Sequence, residues 1–212
     1  MLDRTHPFRP APRLHHLAGA AALLLAALPA LAAAPHDSTA AHGASASACV
    51  ERSCGVRCQE ALDVARRSTS AFLREARALA AGYESDPICV ANPAAGGMGI
   101  HYPNHELMAD LVVDPRFPEI LLYEEKPGGQ RVLVALEYFA PVLSNGVPWM
   151  GSATQPPPTI DNPPPVLFGR VFDGPMPGHN PAMPWHYDLH VWAWRHNPAG
   201  TFAQFNPKVR CR

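Results

Sequence analysis

The sequence Trp185-His-Tyr-Asp-Leu-His-Val-Trp-Ala-Trp194 decides the fold class, because it fits either a helix or a strand. In a helix, His186 and His190 would lie one turn apart, as in the zinc motif H-E-x-x-H. Tyr187 stands where that motif needs its glutamate, however, and Tyr, Val and Trp favour strands. We therefore predict a strand. Its alternate residues share a face, and one face would hold His186, Asp188, His190, Trp192 and Trp194.

Four other segments have the composition of strands. Each is short, rich in β-branched or aromatic residues, and bounded by Pro, Gly or Asn. They are Met98–Tyr102, Glu119–Glu124, Arg131–Phe139 and Val166–Phe172. The sequence Lys126-Pro-Gly-Gly129, between the second and the third, has the residues of a hairpin turn. We therefore expect these two strands to pair antiparallel.

The segment from Gln59 to Ala81 predicts one long amphipathic helix without Pro or Gly. Its apolar and small residues recur at steps of three and four, forming a stripe of Leu62, Ala65, Thr69, Phe72, Ala76, Leu79 and Ala80. Gly82 predicts the end of the helix, and a short helical turn is expected at His105–Leu111. The predicted fold class is α+β, with one long N-terminal helix packed on an antiparallel sheet of about five strands.

Charge and proline content exclude two classes of protein. The 212 residues include 17 basic and 18 acidic side chains, so the chain lacks the basic surplus of a nucleic-acid-binding protein. The sequence also has 25 prolines, and 12 of them lie between Pro141 and Pro184. This proline content excludes an all-helical bundle and predicts long Pro-rich surface loops.

The N-terminus has the features of a secretory signal peptide. Arg4, Arg9 and Arg13 precede the apolar segment Leu17–Ala32, which ends in small residues and is shorter than the roughly 20 residues of a spanning helix. We predict a signal peptide over residues 1–32, export to the periplasm or the extracellular medium, and no stable membrane insertion after cleavage. An uncleaved membrane anchor is the alternative. A disordered lead-in is expected over residues 33–58 and a single α+β domain over residues 59–212.

The five cysteines predict disulfide bonds, because export places them in an oxidising compartment. Cys89 precedes the glycine-rich start of the β region and Cys211 is the penultimate residue. We predict that these two pair and attach the C-terminus to the core. Among the remaining three, both Cys54–Cys58 and Cys49–Cys58 are possible, and one thiol is left over.

Polar residues on the predicted strands form a candidate site. In a straight strand His186 and His190 would be about 13 Å apart, too far for both to bind one ion through bonds of about 2 Å. Either of them could bind a metal with Asp188 beside it, if His101 and Glu137 from other strands converge there. The ion would be a divalent transition metal.

Glu137 is the most informative of these residues. It interrupts an apolar strand, on the predicted face of Leu133, Ala135 and Phe139, and a buried carboxylate is costly unless it is paired or binds a cation. Two interpretations remain open. In one, the polar residues converge on a metal or an acid/base site. In the other, the polar residues form hydrogen bonds with one another and with the backbone of the loops. They would then stabilise a fold that has few regular hydrogen bonds between strands.

Four tryptophans offer a different kind of site. On one exposed face they would form a platform for stacking a sugar or a peptide, and they are Trp149, Trp185, Trp192 and Trp194. Other histidines are expected at the surface or in turns, namely His105, His179 and His196. The leading hypothesis is an exported, non-enzymatic binding or structural protein without a cofactor, whose ligand is a small molecule, a glycan or a protein. The alternative is a metal-binding protein or metal-dependent enzyme.

Several motifs resemble those of a family of exported bacterial proteins of uncharacterised function. They include Gly97-Met-Gly-Ile-His-Tyr-Pro-Asn104, Leu136-Glu-Tyr-Phe139, Phe172-Asp-Gly-Pro-Met-Pro-Gly-His179 and His186-Tyr-Asp-Leu-His-Val-Trp192. The resemblance covers about residues 60–212. It implies that the helix and the β region form one unit, and it implies no activity, fold or ligand. The segment before Cys58 and the loop around Ser144–Pro158 are outside the resemblance.

Overall fold

The computed structural model describes residues 54–211. The predicted signal peptide, most of the predicted lead-in and Cys49 lie outside these residues. Within the described part, six strands form one antiparallel sheet. They are β1 (Cys89–Asn92), β2 (Gly96–Pro103), β3 (Ile120–Glu125), β4 (Arg131–Pro141), β9 (Asp173–Met176) and β10 (His186–Val191). Their order across the sheet is β1-β2-β3-β4-β10-β9. The α+β class is confirmed, and the sheet has one more strand than the five predicted.

Strand β4 is central because its eleven residues pair with β3 on one side and with β10 on the other. The predicted turn at residues 126–129 is confirmed: Gly129 N donates to Lys126 O at 3.0 Å, and both glycines of the turn have positive φ. A register shift between Leu122 and Tyr123 inserts one residue into β4. As a result Leu133 packs on the opposite face from Glu137, and its predicted place beside Glu137 was wrong.

The predicted strand Val166–Phe172 was also wrong. It forms a separate hairpin of β7 (Val166–Leu167) and β8 (Arg170–Val171), because Phe168 and Gly169 both have positive φ and reverse the chain. Another small hairpin, β5 (Leu143–Ser144) with β6 (Val147–Pro148), starts the Pro-rich region. The edge position of the main sheet belongs instead to β9, which pairs with β10.

The long helix is interrupted. Helix α1 (Val56–Thr69) runs into a 3₁₀ turn (Ser70–Leu73), and α2 (Glu75–Ala80) follows after Arg74, whose backbone is extended. Three hydroxyls before the break donate to carbonyls one turn earlier, a pattern that weakens a helix; they belong to Ser68, Thr69 and Ser70. The predicted stripe therefore holds for Leu62, Ala65 and Thr69. After the break, Ala78 is buried and Ala76, Leu79 and Ala80 are exposed.

The sheet separates two apolar clusters. The larger one lies on the helix side, where Leu62 and Ala65 of α1 pack with Tyr102, Leu136 and other sheet residues. The smaller one lies on the opposite face and contains Ile120, Leu122, Val134, Ala135, Phe139, Trp192 and Val209. Short helix α3 (His105–Ala109), which the Asn104 side chain caps, contributes Met108 to this second face. The candidate site lies on the second face.

Two disulfide bonds form among the described residues, and they join Cys54 to Cys58 and Cys89 to Cys211. The second was predicted, and the first decides between the two pairings that the sequence left open. Beside Cys211, Val209 O accepts from Gly97 N, and the backbone of Asn206 pairs with that of Gly97. In residues 54–211, no helix has both the length and the apolar character that crossing a bilayer requires.

Candidate functional site

Strand pairing brings the candidate residues of β4 and β10 together. His190 lies directly opposite Glu137, and Asp188 lies opposite Phe139. Directly opposite residues in an antiparallel pair share a face, so His186, Asp188 and His190 share the face of Glu137. The predicted alternation is confirmed for these three. It fails for Trp194, because β10 ends at Val191 and Trp194 packs against the larger cluster instead.

His101 joins this group from β2, across the intervening β3. His101 lies opposite Leu122 of β3, and Leu122 lies opposite Ala135 of β4. The His101 side chain is therefore on the same face of the sheet as Glu137, two strands away from it. The His101 Nε2 atom reaches to 3.2 Å from Glu137 Oε2, and His190 Nε2 lies 3.6 Å from the same oxygen. One ligand atom from each of the three residues lies within 4.8 Å of the other two.

These spacings fit a transition-metal ion. In a tetrahedral site with metal–ligand bonds of about 2.0–2.1 Å, neighbouring ligand atoms are about 3.3 Å apart. The two separations from Glu137 Oε2, 3.2 and 3.6 Å, lie on either side of that value, and the ligand atoms of His101 and His190 lie within 4.8 Å of each other. Two imidazoles and one carboxylate are ligands for Zn²⁺ and for non-haem Fe²⁺. We call His101, Glu137 and His190 the triad.

The triad and its neighbours are buried without the hydrogen bonds that such burial requires. Glu137 and His190 are 1 and 2% exposed, and Asp188 and His186 are fully buried. Eight side-chain nitrogen and oxygen atoms in the cluster have no hydrogen-bond partner in the described part of the chain; they belong to His101, Glu137, His186, Asp188 and His190. The shortest separation that joins two of these residues is the 3.2 Å between His101 Nε2 and Glu137 Oε2. Orphaned polar atoms normally cost about 1–3 kcal/mol each, so their concentration in one place requires a cause.

A second group lies next to the triad. His179, His186 and Asp188 each offer a ligand atom, and these atoms also lie within 4.8 Å of one another. His179 is exposed, and its ring meets that of His186 edge-on at 5.5 Å. The expectation that His179 is a surface residue holds, but its place in this group was not predicted from the sequence. In the sequence, the feature that could have pointed to His179 was its position at the end of the motif Phe172–His179, which belongs to the resemblance.

Burial and charge set the protonation of the cluster. Burial by itself would raise the pKa of Glu137, but His190, His101 and His186 together outweigh it and hold the pKa below its ordinary value. Burial lowers the pKa of both His186 and His190, and the charge of Glu137 opposes this effect. Metal binding would require the carboxylate in its ionised form and the imidazoles in their neutral form. Asp188 behaves oppositely, because burial and then the charge of Glu137 raise its pKa to about 8.

A cleft of about 400 Å³ opens beside the cluster. One histidine from each group lines it, His101 from the triad and His179 from the second group. Apolar side chains complete part of the wall, including Met108, Ile120 and Met183. Its volume is in the range of small-molecule sites. The side chain of His101, which lines this cleft, is 12% exposed, and its Nε2 atom is buried on the side of Glu137.

The tryptophans do not form the exposed platform that the sequence suggested. Trp185 and Trp192 are buried, and Trp149 and Trp194 are half-buried. Each indole N–H donates to the protein itself: Trp149 to Gln155 O, Trp185 to Gly151 O, Trp192 to Ala203 O and Trp194 to Thr69 Oγ1. The indoles therefore pack the core and hold loops in place. The remaining histidines, His105 and His196, are exposed as expected.

No family model, no curated protein and no solved structure matches this chain. The resemblance to a family of exported bacterial proteins therefore stays a prediction. What the chain does has to be inferred from the cluster itself.

Glu119, a buried carboxyl near the cluster, is expected to make the stability of the folded protein depend on pH. It is 1% exposed and accepts a hydrogen bond from Phe139 N, and burial raises its pKa to about 8 from an ordinary value of 4.5. The unfolded chain thus loses this proton near pH 4.5, whereas the folded protein keeps it, so stability falls as the pH rises between these values. We expect Glu119→Gln to remove this loss and to be more stable than wild type by about 3 kcal/mol at pH 7.

Urea unfolding of both proteins at pH 4, 6 and 8 measures the effect of Glu119. The difference in unfolding free energy should be small at pH 4 and should increase towards pH 8. Comparing the variant with wild type cancels the titration of all other groups. A difference that stays constant over this range would contradict the assignment of a buried, protonated Glu119.

Proposed function

We propose that this chain is an exported metalloprotein in which His101, Glu137 and His190 bind a divalent transition-metal ion beside a small-molecule cleft that His101 lines. The observation that carries the proposal is the convergence of three ligand atoms, all within 4.8 Å of one another, on one face of the sheet. This function was the alternative in the sequence analysis. The geometry favours it over the leading hypothesis of a binding or structural protein without a metal.

The hydrogen bonding distinguishes these two hypotheses. If the polar residues only stabilised the fold, they should satisfy one another or the loop backbone. In the described residues, the two carboxylate oxygens of Glu137 and both ring nitrogens of His190 have no hydrogen-bond partner. Glu137 Oε2 lies 3.2 Å from His101 Nε2 and 3.6 Å from His190 Nε2, whereas the other ring nitrogen of His190 faces Asp188. A cation bound among these first three atoms would satisfy them together.

The number of ligands supports catalysis over a purely structural role. Structural zinc sites are closed by four protein ligands, whereas catalytic sites keep a position for water or substrate beside three. The triad supplies three and adjoins the cleft through His101. We therefore propose a metal-dependent enzyme that acts on a small molecule. When bound, the metal would supply Lewis acidity or lower the pKa of a bound water.

Export is the other part of the proposal. It is supported by the features of the first 32 residues and by the two disulfide bonds, which are rare in proteins of a reducing cytosol. In that compartment the binding of a transition metal would not compete with cytosolic thiols.

Metal content tests the triad directly. We expect the purified protein, first stripped with a chelator and then dialysed against Zn²⁺, to retain a tightly bound ion that His101→Ala loses. The affinity for this ion should fall at least 100-fold, because removing a ligand costs more than removing the group that orients one. Elemental analysis and competition with a chromophoric chelator measure both quantities.

His196→Ala is the matched control, since His196 is exposed and lies outside the cluster. It should bind Zn²⁺ like wild type, and circular dichroism should show that both variants fold. The proposal would be overturned by wild-type protein that binds no Zn²⁺ at micromolar excess. It would also be overturned by tight binding that His101→Ala leaves unchanged.

A further inference from the structure

The group formed by His179, His186 and Asp188 adjoins the triad but shares no residue with it. Its three ligand atoms lie within 4.8 Å of one another, and two of its members are fully buried. The separation of His186 Nε2 from Asp188 Oδ2 is 4.0 Å, which is too long for a hydrogen bond. The group therefore presents the same problem as the triad, since buried ligand atoms face one another without satisfying one another.

The tautomer of His186 is determined by its surroundings. Its Nδ1 lies 3.1 Å from Pro184 O, and a carbonyl can only accept, so Nδ1 must carry the hydrogen. The lone pair of a neutral ring is then on Nε2. That atom is buried and has no hydrogen-bond partner within residues 54–211. An imidazole whose Nδ1–H is held by a backbone carbonyl is a typical metal ligand through Nε2.

Asp188 lies between the two groups. Its Oδ2 faces His186 Nε2 at 4.0 Å, and its Oδ1 faces His190 Nδ1 at 3.9 Å. Neither oxygen has a hydrogen-bond partner in the described residues. In its carboxylate form Asp188 can thus bind an ion beside His186 through one oxygen, while the other oxygen faces the ring nitrogen of His190 that the triad leaves free.

We propose that His179, His186 and Asp188 bind a second divalent transition-metal ion, so that the protein holds two ions side by side along β10. The inference goes beyond the proposed function, which requires only the triad. His179 completes this set from the surface segment before β10 and also lines the cleft. One ligand of each ion, His101 for the first and His179 for the second, therefore lines the same cleft.

The competing explanation is that the second group only supports the first. Asp188 would then orient the His190 ring, and the contact between His179 and His186 would be packing. This explanation gives His186 Nε2 no partner and gives His179 no role. The two explanations differ in the number of ions bound, because a supporting group changes the affinity of the triad and adds no second ion.

The number of Zn²⁺ ions bound per chain tests the proposal. We expect two for the wild type and one each for His179→Ala and His101→Ala, with none for the double variant. His179→Ala is chosen because an exposed side chain can be removed without disturbing the core. Asp188→Asn is a second variant that keeps the shape of a buried residue, and it should also bind one ion. When each single variant is loaded with Co²⁺, its absorption spectrum should be that of one bound ion. The spectra of variants that lack different sites should differ, because the remaining ion has different ligands.

Each outcome decides between the hypotheses. One ion in wild type that is lost in His101→Ala and retained in His179→Ala would overturn the second site and leave the proposed function standing. One ion lost in His179→Ala and retained in His101→Ala would overturn the triad and keep this site. A protein that binds no ion overturns both proposals.

Discussion

Glu137→Gln is expected to lower the stabilisation that Zn²⁺ gives to the folded protein by about 3 kcal/mol, the effect of a 100-fold loss of affinity when free Zn²⁺ is at 1,000 times the dissociation constant of the triad. Glu137 contributes the oxygen nearest to both His101 and His190, so its loss leaves two neutral ligands without a negative charge. Glutamine has nearly the same shape, and the substitution therefore changes the charge more than the packing. Urea unfolding with and without Zn²⁺ measures the increment for each protein.

Glu119→Gln is the matched control for this experiment. Glu119 is as buried as Glu137, at 1% exposure, but its Oε2 is satisfied by a backbone N–H and it lies outside both groups. The control should keep the full Zn²⁺ increment. The increment compares each protein with itself, so changes that a substitution makes to the metal-free fold cancel.

A structural role for Glu137 leads to the opposite result. If Glu137 only held the histidines in place, its substitution would weaken the metal-free protein, and Zn²⁺ would add equally little to the variant and to the wild type. Equal increments in Glu137→Gln and Glu119→Gln would therefore reject the triad. A selective loss in Glu137→Gln would support it, and the second ion, where bound, would account for the increment that remains.

The strand residues of the site could be predicted from the sequence because alternation is local. Once Tyr187 excluded the helical zinc motif, the period of two placed His186, Asp188 and His190 on one face. Glu137 was recognisable because a charge in an apolar strand needs a partner. Their convergence with His101, however, depends on the order of the strands, and that order is a property of the whole sheet.

The features that could not be predicted from the sequence depend on contacts between residues that are far apart in the chain. Helix α1 ends at Thr69, where the Thr69 hydroxyl accepts a hydrogen bond from Trp194 Nε1, and Tyr123 OH donates to Phe72 O in the turn that follows. The apolar stripe continued through this region, so periodicity alone predicted one helix. His179 lies in an irregular segment, where no period predicts which way a side chain points.

Removing the Cys89–Cys211 disulfide is expected to lower the free energy of unfolding by about 5 kcal/mol, the chain-entropy value for a separation of 122 residues. The bond holds the C-terminal segment, in which Val209 is buried against the second face of the sheet. Without it the unfolded chain gains freedom, and Val209 and Asn206 must hold that segment through packing and backbone hydrogen bonds alone. Urea unfolding of the variant with both cysteines changed to alanine measures the loss.

The Cys54–Cys58 bond provides the matched control, because it closes a separation of only 4 residues. The chain-entropy relation gives a contribution of about 2 kcal/mol to the free energy of unfolding for a loop of that length. The two double alanine variants should therefore differ in stability by about 3 kcal/mol. Each variant removes two half-buried cysteines and one covalent bond, and the length of the closed loop is the main difference between them. Equal losses would mean that loop entropy does not determine the contribution of the longer bond. The C-terminal segment would then be held by the contacts of Val209 and Asn206, and the disulfide would add little to them.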